Sequence, residues 1–217
     1  MTSVSIEVLE SVSYLLGLID ARQWETFRSY TFEPSPAHFR ARVGVISQIP
    51  EFNGMTLLHA TVKCDPPIDL VLEMINICPE LTAARDCLGR TPLHVATGSS
   101  ASPILIRLLV HSYPAACDTQ DIDGRTPLHF ACDSSCVLFE GDNNDESNAS
   151  REPCHDSIRA LLSESLVATT VEDIDEMNPV EYAIMSGAPL KTVRLLQLAS
   201  VKHLRGTDPT TIPPNNI

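Results

Sequence analysis

The sequence is poor in aromatic and in basic residues. Only 5% of its 217 residues are Phe, Trp or Tyr, so the core must be mainly aliphatic, and a hydrophobic content of 43% is enough to build one. Lys and Arg number 15 against 28 Asp and Glu, which leaves a formal net charge of −13. This charge repels nucleic acids and anionic membrane surfaces, so neither is an expected partner, whereas a basic protein surface is compatible with it.

The chain also lacks a long apolar run, a basic secretory start and a disulfide framework. The apolar stretch 103–110 is interrupted by Arg107 and does not approach the length of a membrane span. Residues 1–7 hold no Lys or Arg, so no secretory signal is expected. Seven cysteines, an odd number, are scattered along the chain, which is typical of reduced thiols. We therefore expect a cytoplasmic protein, with the nucleus as the alternative compartment.

An internal repeat dominates what is present. The octapeptide at 89–96, Gly-Arg-Thr-Pro-Leu-His-Val-Ala, recurs 35 residues later at 124–131 with Phe in place of Val, and a weaker copy begins at Gly54. Thr is a good helix N-cap, Pro fits the first helical position, and Gly supplies a turn with positive φ. Each copy therefore predicts a tight turn followed by a short helix.

The repeated motif resembles that of the ankyrin repeat family, Thr-Pro-Leu-His-x-Ala. The resemblance implies an all-α solenoid of stacked helix-turn-helix units joined by hairpin-like fingers. It also implies a non-enzymatic scaffold or adaptor that binds a partner protein through a concave face, formed by the finger tips and the first helix of each unit. In the same way it implies that His59, His94 and His129 hydrogen-bond turn backbone and tie adjacent repeats together.

A second helix is predicted in each unit from its apolar anchor residue. The anchors are Val71, Ile106, Ile158 and Val193. Their intervals are 35, 52 and 35 residues, and the longer one predicts a polar insertion at 136–153 in the third unit.

The same register finds a fourth motif, in which Asn178 replaces Thr as the cap and Glu181 can bond back to the backbone N–H of the cap residue. The position of the turn glycine holds Glu176, which leaves the turn there open to question. We predict an N-terminal helical cap or degenerate repeat at 1–50, four repeats at about 51–85, 86–120, 121–172 and 173–206, and a disordered tail at 207–217.

The resemblance also carries partner-binding positions onto this sequence, at the finger tips and along the first helices. They are Asn53, Met55, Cys87, Leu88, Arg90, Ile122, Asp123, Arg125, Asp133, Ile174, Asp175 and Met177. The aliphatic residues among them are either contact residues or packed inside the fingers.

Acidic residues crowd the third and fourth fingers, and this pattern has two interpretations. Either the C-terminal half of the concave face receives a basic segment of a partner, or a solvated acidic surface keeps the solenoid soluble.

Two other functions compete with the binding module. Cys132, Cys136, Cys154 and His155 could form a metal- or redox-linked module, although the adjacent pair strains a tetrahedral zinc site. The array could also be a structural subunit of a larger assembly. No nucleophile elbow and no phosphate-binding loop is present. Because the repeats account for most of the chain and leave little room for a catalytic domain, we expect neither an enzyme nor a cofactor.

Overall fold

The computed structural model describes residues 6–33, 35, 39–40, 53–136, 138 and 152–207, and within these ranges the chain is helical, without strands. The α-helices whose bounds the structure describes are α1 (Ile6–Asp20), α2 (Trp24–Phe32), α3 (Leu57–Lys63), α4 (Ile68–Ile77), α5 (Pro92–Gly98), α6 (Pro103–Ser112), α7 (Pro127–Cys132), α8 (His155–Glu164), α9 (Pro179–Met185) and α10 (Leu190–Thr207). Short 3-10 helices follow three of them, at Pro79–Ala83, Pro114–Asp118 and Val167–Thr170. The all-α prediction is confirmed.

The first helix of each pair, α3, α5, α7 or α9, begins at the same kind of cap. The N-cap residues are Thr56, Thr91, Thr126 and Asn178, all in extended backbone conformation. The backbone N–H of each cap residue donates to the side chain three residues later, which is a histidine in the first three pairs and Glu181 in the fourth. This reciprocal cap satisfies backbone donors that a helix start would otherwise leave unpaired.

The helix pairs stack in chain order and share one core. Each first helix packs on the next, and each second helix, α4, α6, α8 or α10, packs on the next. The anchors Val71, Ile106 and Ile158 are almost fully buried between these layers, as their spacing predicts. Val193 is half-buried, and it lies in α10, the last helix that the structure describes.

The N-terminal helices attach to the first pair. Sequence periodicity predicts helices at 4–20 and 21–30, and the structure has them as α1 and α2. Helix α1 contacts α3, and Arg28 of α2 pairs with Asp69 and Glu73 of α4. This position suits a cap over the first pair, and the boundary at residue 50 stays a prediction.

Two predicted segments, the insertion at 136–153 and the tail at 207–217, lie mostly outside the described residues. Most of the predicted insertion, 137 and 139–151, lies outside them, as do residues 208–217 of the predicted tail. Thr207 belongs to α10, which has 18 residues where α4, α6 and α8 have 10 each.

Candidate protein-interaction surface

The second, third and fourth fingers are each built around an aspartate that accepts bonds from its own backbone. Oδ1 of Asp121 accepts the N–H of Asp123 at 3.0 Å and that of Arg125 at 2.8 Å, and the N–H of Asp121 donates to the carbonyl of Arg125 at 2.9 Å. Asp86 and Asp173 make the same set of bonds in their own fingers. The aspartate at the start of each of these three fingers therefore fixes the turn.

These aspartates are not all surface charges, although the sequence pattern counts them in the acidic fingers. Asp173 is only 8% exposed, and its Oδ2 accepts the hydroxyl of Tyr182 at 2.7 Å. Burial alone would raise the pKa of Asp173, but the bonds from Tyr182 and from two backbone N–H groups outweigh it, so the net pKa is lowered. The charge that a partner can reach lies elsewhere on the finger.

Backbone hydrogen bonds join neighbouring finger tips into one row. The N–H of Cys87 donates to the carbonyl of Asn53 at 2.6 Å, Ile122 donates to Leu88 at 2.9 Å, and Ile174 donates to Asp123 at 2.9 Å. We call the resulting surface the tip row, and it consists of Asn53, Cys87, Leu88, Ile122, Asp123, Ile174 and Asp175.

All seven side chains of the tip row are exposed. Among the aliphatic side chains, Ile122 is 61% exposed, Ile174 is 68% exposed and Leu88 is 38% exposed. The alternative of packing inside the fingers therefore does not fit Ile122 and Ile174, whereas Leu88 is partly covered. The exposed aliphatic side chains of the tip row lie beside the acidic ones, Asp123 and Asp175.

The remaining predicted contact residues lie at the base of the fingers and serve the fold. Arg90 is 6% exposed, and its guanidinium donates to Oδ2 of Asp86 from Nε and from Nη2, both at 2.8 Å. Its Nη1 donates to the carbonyl of Leu138 at 2.6 Å. The expectation that Arg90 contacts a partner therefore does not fit its burial, and we leave it out of the candidate surface.

Arg125 and Asp133, two other predicted contact residues, pair with each other. Nη2 of Arg125 lies 2.6 Å from Oδ2 of Asp133, and its guanidinium carbon lies 4.7 Å and 4.9 Å from the ring centroids of Phe130 and Tyr182. The positive charge of the third finger is therefore held at the junction between α7 and α9. Met55 and Met177, in register with Arg125, are half-buried.

The three recurring histidines bridge consecutive helix pairs. Nδ1 of His59, His94 and His129 accepts the N–H of the cap residue, so Nε2 carries the proton and donates to a carbonyl of the next finger. The acceptors are the carbonyl oxygens of Arg90 at 3.0 Å, Arg125 at 3.2 Å and Met177 at 3.2 Å. Burial lowers their pKa values to about 4, 3 and 4, which keeps the rings neutral.

Comparison with known families gives the same assignment as this geometry. Residues 58–141 match the family model described as ankyrin repeats (3 copies). This part of the chain is an array of ankyrin repeats. Ankyrin repeats are generally protein–protein interaction modules and typically non-enzymatic. No curated protein matches the chain.

The helix pair α9–α10 lies beyond the matched residues, and its assignment as a fourth ankyrin repeat stays a prediction. Its N-cap Asn178 keeps the ankyrin cap geometry, and the N–H of Asn178 donates to Oε2 of Glu181 at 2.8 Å. Unlike a neutral histidine, an ionised glutamate has no proton to donate to a further carbonyl. In the described part of the chain, Glu181 therefore makes no bridge of the kind that the three histidines make.

The turn of the fourth finger forms without the ankyrin glycine. Gly54, Gly89 and Gly124 have φ values of 76°, 75° and 78°, and Glu176 occupies the equivalent place with φ at 59°. A side chain in this left-handed region costs roughly 1–2 kcal/mol. The fourth finger thus keeps the same turn, although the backbone of Glu176 is strained. Glu176 also adds an exposed carboxylate to this finger.

The cysteine cluster does not assemble in the described parts of the ankyrin array. Among those residues, no group of three or more His, Cys, Asp and Glu side chains could hold a metal ion. Cys132 is fully buried, and burial raises the pKa of its thiol, while Cys154 is exposed. His155 contacts the hydroxyl of Thr192 at 3.3 Å.

In the part of the chain that the structure describes, no helix is long and apolar enough to cross a membrane.

Proposed function

We propose that this ankyrin repeat protein binds a partner protein through the tip row, and that the third and fourth fingers receive a basic segment of that partner. The observation that carries the proposal is the row of exposed aliphatic side chains, Leu88, Ile122 and Ile174, on tips that hydrogen bonds hold in register. A partner segment lying across the fingers buries these side chains, and their rigid spacing limits the entropy lost on binding.

The charge around the row supports a basic partner. Exposed carboxylates accompany the two C-terminal tips: Asp123, Glu172, Asp175 and Glu176. The basic residue of the third finger, Arg125, is already paired with Asp133. Complementary charge raises the association rate and favours basic over acidic partners.

A displayed random peptide library, selected against the purified chain at low salt, tests the proposal. We expect enriched peptides to be basic with at least one aliphatic residue, and to lose binding to the variant Asp123→Lys/Asp175→Lys. A matched control, Glu10→Lys/Glu80→Lys, makes the same change of charge at exposed acids outside the fingers. Equal binding by both variants would show that the acidic fingers are only a solvated surface.

We further propose that the protein acts without catalysis in the cytoplasm, with the nucleus as the second compartment. No disulfide joins any of the seven cysteines, all of which lie among the described residues, and four of them are buried. Burial raises the pKa of Cys117 to about 12, so this thiol is not a nucleophile at neutral pH. These properties suit a reducing compartment.

A further inference from the structure

Helix α10 differs from the other second helices in charge as well as in length. It carries four basic residues, Lys191, Arg194, Lys202 and Arg205, and no acidic one, in a chain whose net charge is −13. By contrast, α4 carries Asp69 and Glu73 and no basic residue. Basic charge is therefore concentrated at the C-terminal end of the second-helix layer, away from the acidic finger tips.

An apolar groove of about 310 Å3 lies between α8 and α10. Four leucines and two cations make up most of its lining: Leu162, Leu166, Leu195, Leu198, Arg159 and Lys202. None of its lining residues is acidic. The groove is at the lower end of the ~300–1,000 Å3 range of ligand-binding clefts.

One residue of the groove, Leu198, departs from the residue type that the earlier second helices have at the same position of the repeat. Leu198 is equivalent to His111 of α6 and Ser163 of α8, at the spacings of 35 and 52 residues that relate the pairs. The earlier helices thus place a polar residue where α10 places a leucine that is 69% exposed. Internal packing does not account for a leucine at this position.

We infer that this groove binds an acidic amphipathic segment of a partner protein, separately from the tip row. Apolar side chains one helical turn apart would fill the groove between the leucines, and flanking carboxylates would meet Arg159 and Lys202. Arg159 reaches Asp156 of its own helix only at 3.5 Å, and both side chains are more than half exposed, so an incoming carboxylate can compete for it.

An anionic membrane would also attract cations, but the molecule argues for a protein segment. The overall charge of −13 opposes a negative lipid surface. A protein with both surfaces would join a basic segment at its fingers to an acidic segment at its second helices.

The test selects a displayed random peptide library against the full chain and then against Arg159→Glu/Lys202→Glu. We expect peptides lost on this variant to be acidic, with aliphatic residues spaced three or four apart. Their dissociation constants, measured by fluorescence anisotropy, should rise about tenfold or more. The variant Arg107→Glu/Lys191→Glu makes the same change of charge at exposed residues of α6 and α10 outside the groove, and it should change them less than about twofold.

The inference would be overturned if no selected peptide bound the groove variant more weakly than wild type. It would also be overturned if the peptides that did so were basic or neutral, or if the groove variant and the control variant lost the same affinity. Preferential binding of wild type to phosphatidylglycerol vesicles over phosphatidylcholine vesicles, lost in the groove variant, would assign the groove to a membrane instead. Self-association in sedimentation that the groove variant abolishes would assign it to a second copy. The variant Ile122→Ser/Ile174→Ser should leave acidic peptides bound, so the groove and the proposed function of the tip row can fail independently.

Discussion

Nε2 of His129 donates a hydrogen bond to the carbonyl of Met177, 3.2 Å away. These residues are 48 positions apart, whereas the two equivalent bonds each span 31 positions, so the same bridge closes across 17 extra residues. The insertion therefore leaves the stacking of the helix pairs unchanged, and the fourth finger stays in register with the other three.

Removal of this bridge should loosen the last helix pair more than the rest of the array. His129→Ala leaves the buried N–H of Thr126 without its acceptor and removes the bond from Nε2 to the carbonyl of Met177, which still accepts the N–H of Asp173. The loss should cost about 2–4 kcal/mol of unfolding free energy in urea denaturation. Because each repeat is coupled mainly to its neighbours, hydrogen exchange should speed up most in residues 178–207. His111→Ala, at an exposed histidine, is the control and should cost less than about 0.5 kcal/mol. Equal costs for the two variants would contradict the bridging role.

Stability should fall as the pH drops below 6.5. The pKa values of His59, His94 and His129 are lowered from 6.5 to about 4, 3 and 4, so the unfolded chain binds more protons than the folded one in this window. Each histidine should then cost up to about 1.4 kcal/mol per pH unit between 6.5 and its folded pKa.

Urea midpoints measured from about pH 7.5 to about pH 4.5 check this dependence. Asp173, whose folded pKa is lowered from 3.8, loses its contribution only below that window. His94→Gln should show a shallower decline than wild type. Midpoints that stay flat from 6.5 downwards would rule out neutral buried histidines.

Glu176→Gly should stabilise the protein. The substitution removes a side chain from φ of 59° and restores the residue type of the other three fingers, for a gain of roughly 0.5–1 kcal/mol after the extra flexibility of the unfolded chain is subtracted. Glu176→Gln removes the charge and keeps the strain. If Gln stabilises as much as Gly in thermal unfolding, repulsion between carboxylates and not backbone strain is the cause.

The buried and the exposed aspartate of the fourth finger, Asp173 and Asp175, should differ in how much they contribute to the unfolding free energy. Asp173→Ala removes the acceptor of two backbone N–H groups and of the Tyr182 hydroxyl, and should cost about 2–4 kcal/mol. Asp175→Ala, at an exposed neighbour, should change the unfolding free energy by less than about 0.5 kcal/mol. A neutral Asp173→Ala would mean that this carboxylate does not fix the finger.

The sequence predicts the scaffold well because each scaffold position has a local physical requirement. The cap at Asn178, the helix starting at Pro179 and the anchor Ile158 follow from capping and periodicity alone, without the family motif. The family resemblance, in turn, locates the fingers.

Partner-accessible charge was less predictable, because it depends on side-chain pairing. Arg90 and Asp173 look like surface charges in the sequence, and the structure buries both against groups of their own finger or of the following helix. The sequence does not by itself predict the groove at Leu198, although it contains two signals for it: a leucine at a polar position of the repeat and the absence of acidic residues from α10.

The most direct test of the account compares the peptide affinities of two double variants, one in the tip row and one outside it. Peptides selected on the wild-type chain for finger binding should bind Ile122→Ser/Ile174→Ser about tenfold or more weakly in fluorescence anisotropy, because the tip row loses its aliphatic contacts. The control Ile104→Ser/Leu72→Ser alters residues of α6 and α4 that are also exposed, at 57% and 40%, and should bind as wild type does. Equal affinities for all three proteins would contradict the tip row as the binding surface.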